Sequence, residues 1–126
     1  MDKFIAIDVG LKRIGVAFGV GSVVLPQEPI LRKNRNQAAH EVSERIKEYG
    51  INVLVVGIPL GGSSEDEMRR RIEHFVSLLN FKGQIVYQDE AFSSDEASEI
   101  YRNTSRDGRL DSVAAMMILK RYLKIV

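Results

Sequence analysis

The 126-residue chain contains no cysteine, which excludes disulfides and thiolate zinc sites. No apolar run approaches the ~20 residues of a membrane span. Met1-Asp2-Lys3-Phe4-Ile5 lacks the shape of a secretory signal and leads straight into a strand-like run, so the expectation is a cytoplasmic protein with no membrane attachment. Net charge is only +1, with 18 basic and 17 acidic residues, which argues against a partner gripped by bulk charge. No GxxxxGK[ST] phosphate loop occurs, no serine sits in a triad pattern, and His40 and His74 have no ligand partner at metal spacing. Repeats, linkers and low-complexity tracts are also missing, and the length suits one domain over residues 1–126.

What remains is a patterned α/β sequence. Phe4–Asp8, Arg13–Val20 and Val23–Leu25 are short apolar runs separated by tight connections, and they read as an antiparallel meander. Asn36–Tyr49 carries Ala39, Val42, Ile46 and Tyr49 at helical spacing and stops at Gly50. Val53–Val56 is continuously apolar, as in a strand buried on both faces. A second helix follows Ser64 and Glu67, with Met68, Ile72, Phe75, Val76 and Leu79 as its buried stripe. Ile85–Tyr87 is the last strand, and Ser93 with Glu96 opens a short helix through Tyr101. Asp111 opens a final helix with a stripe of Leu110, Val113, Ala114, Met117, Ile118 and Tyr122. Three hairpin-linked strands followed by crossovers give a mixed five-stranded sheet with helices on both faces. The first strand then pairs with the second and the fourth, and its carboxyl end lies at a topological switch point.

Three acidic positions fall at element ends. Asp8 closes the first strand, grouped by alternation with Ala6 and opposed to Ile7 and Val9, and Gly10 lets the chain turn there. Asp89-Glu90 ends the last strand at the same sheet edge, and Asp111 lies in the first turn of the last helix. Taken singly, each has an ordinary reading as a turn acid, a loop pair or a dipole-favoured helix start. Together, carboxylates without His or Cys suit hard cations, Mg²⁺ or Mn²⁺, and two such ions ~3.5–4 Å apart assist phosphodiester hydrolysis. Lys12 and Arg13 follow the Asp8 turn, and Arg102, Arg106 and Arg109 flank the loop before Asp111. These five are the candidate phosphate contacts. Arg69-Arg70-Arg71 fans over about 200° of helix surface and reads as a solvated face. Tyr87, Phe92 and Tyr101 read first as packing residues, with Phe92 the candidate for stacking on a base.

Asp8-Val9-Gly10-Leu11-Lys12-Arg13-Ile14-Gly15-Val16-Ala17 resembles the opening motif of the YqgF (RuvX) family. Val55–Leu60, Asp89-Glu90 and Leu110–Ala115 are similar to its later blocks, in family order over nearly the whole chain. The resemblance implies an RNase H-like fold and a metal-dependent nuclease processing the 5′ end of pre-16S ribosomal RNA, or in an older description a Holliday junction resolvase. By position it makes Asp8, Glu90 and Asp111 the catalytic and metal-holding acids, prefers Glu90 to Asp89, and sets Arg13 beside the site. Ala91-Phe92-Ser93-Ser94 departs from the family's Arg-hydrophobic-Thr-Thr, which removes a planar donor and leaves a third reading, a non-cleaving RNA-binding factor. The expected partner is nucleic acid, structured RNA first and branched DNA second, and the expected state is a monomer or weak homodimer.

Overall fold

The pattern of alternating and continuous apolar runs folds into a sheet sandwiched between helices. The computed structural model describes residues 1–59, 65–89 and 110–125, leaving aside the side chains of Glu65, Leu110 and Asp111. Its elements run β1 (Lys3–Val9), β2 (Arg13–Val20), β3 (Val23–Pro26), β4 (Ile30–Leu31), α1 (Arg35–Tyr49), β5 (Val53–Ile58), α2 (Glu65–Ser77), β6 (Gln84–Asp89) and α3 (Leu110–Leu123). The sheet order is β3-β2-β1-β5-β6, with β4 also on β2. β1 is antiparallel to β2 and parallel to β5, and β6 continues the parallel half. The expected pairing of β1 with the meander and the first crossover strand is therefore present.

Among the described residues the sheet has six strands rather than the five expected from the sequence. Pro26 ends β3, and the chain returns to β2 only at Ile30–Leu31, pairing Ile14 with Ile30. Two residues are too few to register as an alternating run. The short helix expected through Tyr101, and the Ser64 and Ser93 caps, lie outside the described residues.

Strand alternation sorts two cores. Ile5, Ile7, Ile14, Val16, Leu54 and Val56 face α1 and α2, joined by Val42, Ile72 and Phe75. Phe4, Ala6, Ala17, Val53 and Val55 face α3, joined by Ala115, Ile118 and Leu119. β5 contributes to both clusters and is buried throughout, as a central parallel strand is expected to be. α1 is framed by local chemistry. Asn34 caps it by accepting from Gln37 N at 2.7 Å, the Gln37 side chain accepts in return from Asn34 N, and Gly50 ends it in the left-handed conformation. Tyr49, the last of the residues at helical spacing, is exposed along one side and packs its ring on Phe18 at 4.4 Å between centroids.

α3 is buried more broadly than its expected stripe. Ala115 and Leu119 are fully buried while Ala114 is half-buried, because the helix lies across β1, β2 and β3 rather than touching one strand. No helix among the described residues is long and apolar enough to cross a membrane.

Candidate functional site at the carboxyl edge of the central strand

β1 ends in Asp8-Val9, and alternation decides where each points. Ala6 packs in the α3-side core and Ile7 in the opposite one, so Asp8 projects on the α3 face while Val9 packs against the α1/α2 cluster. The Asp8 residue is half-buried. Its register partner on β2 is Gly15, which carries no side chain to cover it. Arg13 lies on the same face as Gly15 and Ala17, since Ile14 and Val16 face the other way. Lys12 is exposed in the turn between β1 and β2, at the same edge.

That turn is closed by Gly10 N donating to the Arg13 carbonyl at 3.0 Å. A Cβ at position 10 would lie 2.6 Å from the same carbonyl oxygen, so a side chain there forces the backbone apart. Gly10→Ala is expected to cost roughly 1–3 kcal/mol by the overpacking rule, seen as a lower urea midpoint at unchanged slope. Because the displaced carbonyl belongs to Arg13, activity should fall further than stability accounts for.

The start of α3 is fixed to the same place by Ser112. Pro26 pairs with Ala17 and β4 resumes at Ile14, so the Val16 N–H faces a gap in the ladder. Gln27 N donates to the Val16 carbonyl at 2.8 Å, and Ser112 Oγ accepts from Val16 N at 3.1 Å. Ser112 is fully buried. This single bond, 96 residues apart in sequence, sets the first turn of α3, which contains Asp111, beside the β2 residue that follows Asp8's partner. Sequence reasoning passed over Ser112, because a serine near a helix start has a routine capping role.

β6 supplies the third acidic position. Val86 packs on the α3-side cluster. Tyr87 lies toward α2, where burial, with a further push from Glu73, raises its phenol above the ordinary value despite Arg69 acting the other way. By alternation Asp89 shares the Tyr87 side, opposite to Asp8. Glu90 and the basic candidates Arg102, Arg106 and Arg109 lie outside the described residues, as do Phe92 and Tyr101. Among the described residues no three His, Cys, Asp or Glu side chains gather as a metal site. His40 and His74 are exposed, as expected.

The arginine run on α2 is exposed, as expected. Arg69 and Arg71 do form exposed i,i+4 pairs with Glu73 and Glu67, at 3.4 and 2.7 Å. Arg71, exposed like its neighbours, also lines a cavity with Arg32 and Arg35 at the other side of the Gly10 turn. The sequence carried no signal for that grouping, which draws on three separate segments.

A family model described as "RuvX: Holliday junction resolvase" matches residues 2–125. The chain belongs to the RuvX family. A Campylobacter lari protein named "Putative pre-16S rRNA nuclease" is 57% identical to this RuvX chain over 123 residues, covering 95% of the chain and 96% of the relative. A Sulfurimonas denitrificans protein of the same name is 54% identical over 126 residues, covering 97% of each. Among solved structures, T. thermophilus RuvC in complex with a Holliday junction substrate superposes with a TM-score of 0.65 at 10% identity, covering 99% of this chain and 96% of that one. The fowlpox virus Holliday junction resolvase gives 0.60 at 11% identity, covering 98% and 99%. At such identities the RuvC likeness speaks for the fold, an RNase H-like sheet with helices on both faces. Membership of RuvX makes the chain a nuclease, a hydrolase of phosphodiester bonds.

Proposed function

We propose that this protein is a divalent-metal-dependent endonuclease that trims the 5′ end of pre-16S ribosomal RNA in the cytoplasm, acting as one domain over residues 1–126. The observation that carries the reading is the half-buried Asp8 at the end of the central strand, on the face against which Ser112 fixes the first turn of α3 and hence Asp111. The RNA assignment rests on the names of the two bacterial relatives, both above 50% identity over nearly full length.

Asp8, Glu90 and Asp111 are the proposed metal-holding residues. The donor chemistry suits the group: these are carboxylates, all hard oxygen ligands, in a chain with no cysteine and with both histidines exposed on helices. Asp89 belongs to the opposite side of β6, which supports Glu90 as the acid of that pair. When bound, Mg²⁺ or Mn²⁺ supplies charge stabilisation and an activated water. The chain's own residues do the rest. The β1–β2 ladder holds the Asp8 backbone, so the face of the sheet from which its side chain leaves is set before substrate arrives. Lys12 and Arg13 place positive charge at the edge where a phosphodiester would lie, with Arg102, Arg106 and Arg109 proposed as further phosphate contacts.

Cleavage of a four-way DNA junction is the second reading, favoured by the printed description of the family. Symmetric resolution needs two active sites, hence a stable dimer. The two are separated by incubating the protein with a pre-16S 5′-leader RNA and with a four-way junction, each with Mg²⁺, Mn²⁺ or EDTA. The expected result is metal-dependent cutting of the RNA by a monomer or weak dimer. Symmetric cutting of the junction alone would replace the RNA assignment, and RNA binding without cutting in any metal would favour a non-cleaving factor.

A further inference from the structure

We infer that the cavity bordered by Arg32, Arg35 and Arg71 is a second phosphate subsite, which holds a backbone phosphodiester of the nucleic-acid strand away from the bond being cut. The cavity is about 180 Å³, with Met68, Ile72 and Phe75 among its apolar lining. Among the described residues that line it, three are arginines and none is a carboxylate.

Arg32 is built into place from three directions. Its Nη1 donates to the Gly10 carbonyl at 2.6 Å, its Cζ lies 5.5 Å from the Phe75 ring centroid, and its backbone N donates to the Lys12 carbonyl at 2.9 Å. The guanidinium is therefore half-buried and oriented in advance, which lowers the entropy lost when its remaining N–H groups meet an anion. Arg35, at the first turn of α1, stands close enough to oppose it: burial and then the Arg35 charge hold Arg32 below the ordinary arginine value. Two like charges gathered over an apolar floor are unfavourable until an anion joins them. Arg71 is paired with Glu67, but that pair is exposed and worth little, so a phosphate can compete for it.

The position suits a strand of nucleic acid. Val9, Gly10 and Leu11 also line the cavity, and Leu11 is 73% exposed in the turn. Asp8 lies on the other face of the same edge, one residue from Val9. A strand crossing the sheet edge over the Gly10 turn would meet Asp8 on one side and the three arginines on the other. The inference rests on the reading of this chain as a nucleic-acid enzyme, and it adds residues to that reading which lie outside the proposed metal site.

The test measures binding in EDTA, so that cleavage does not enter. Affinity for a fluorescent single-stranded RNA oligonucleotide is followed against salt for the wild-type protein, Arg35→Ala/Arg71→Ala, Glu67→Gln, and Arg70→Ala as a same-helix control outside the cavity. Losing one neutralised phosphate should reduce the salt slope by about 0.7 and weaken binding roughly tenfold at low salt. Glu67→Gln should tighten binding, a gain that misfolding cannot produce. The inference is overturned if the double variant weakens binding no more than Arg70→Ala, or if Glu67→Gln leaves affinity unchanged. Because no metal is present, a protein that never cleaves would still show these shifts if the subsite exists, and an active nuclease without them would lack it.

Discussion

Asp8→Asn should abolish cleavage while leaving the fold in place. Asparagine keeps the shape of the side chain and its capacity to accept a hydrogen bond, but it removes the charge that a divalent cation requires. The expected loss is about a thousandfold or more in kcat, or at least ~4 kcal/mol in the barrier. Thermal melting in EDTA should move by only a few degrees, because β1 is held by its ladders with β2 and β5 and by two apolar cores rather than by this side chain. Wild-type protein should melt higher with Mn²⁺ than with EDTA, since any ligand of the native state adds RT ln(1 + [L]/Kd). The variant should lose most of that increment. If Asp8→Asn kept more than a tenth of the wild-type rate, the carboxylate would not be in the machinery, and the β1 terminus would be only a turn.

Ser112→Ala is expected to act on stability and activity by separable routes. The serine accepts from Val16 N in a fully buried position, where the sheet offers no backbone acceptor because Pro26 interrupts the edge pairing. Alanine leaves that N–H without a partner, which costs about 1–3 kcal/mol. For a chain of this size each kcal/mol corresponds to a melting shift of roughly 3–6 °C. The catalytic effect follows from position. Ser112 holds the turn that carries Asp111, so assays well below the melting temperature should show a reduced kcat and a higher Mn²⁺ concentration for half-maximal rate, with less change in RNA affinity measured in EDTA. A variant that merely melts earlier, with wild-type kcat at low temperature and wild-type Mn²⁺ dependence, would reduce Ser112 to a packing residue.

The contrast between these two residues shows what the chain discloses in one dimension. Asp8 was legible because strand alternation and a following glycine are local signals, and both hold in three dimensions: Ala6 and Ile7 separate into opposite cores, and Gly10 N closes the turn on Arg13. The β1–β2–β3 meander and the doubly buried β5 were legible for the same reason. Ser112 was not, because its meaning depends on a gap in a ladder nearly a hundred residues away. β4 was missed because two residues cannot display a period, and its pairing depends on where Pro26 releases the chain. The arginine cavity was missed because Arg32, Arg35 and Arg71 share no spacing and meet only when α1, α2 and the Gly10 turn pack around Phe75. Spacing along α2 instead suggested that its arginines faced only solvent, and two of them do make the expected exposed ion pairs.

The central claim is that the carboxyl edge of β1 is a metal-holding site of carboxylates, and Mn²⁺ binding tests it without needing the right substrate. Electron paramagnetic resonance of free Mn²⁺, titrated into wild-type protein and into Asp8→Asn, reports occupancy directly. The account predicts saturable binding by the wild-type chain that is lost or weakened at least about tenfold in the variant, equivalent to ~1.4 kcal/mol. Equal Mn²⁺ binding by both proteins would contradict it.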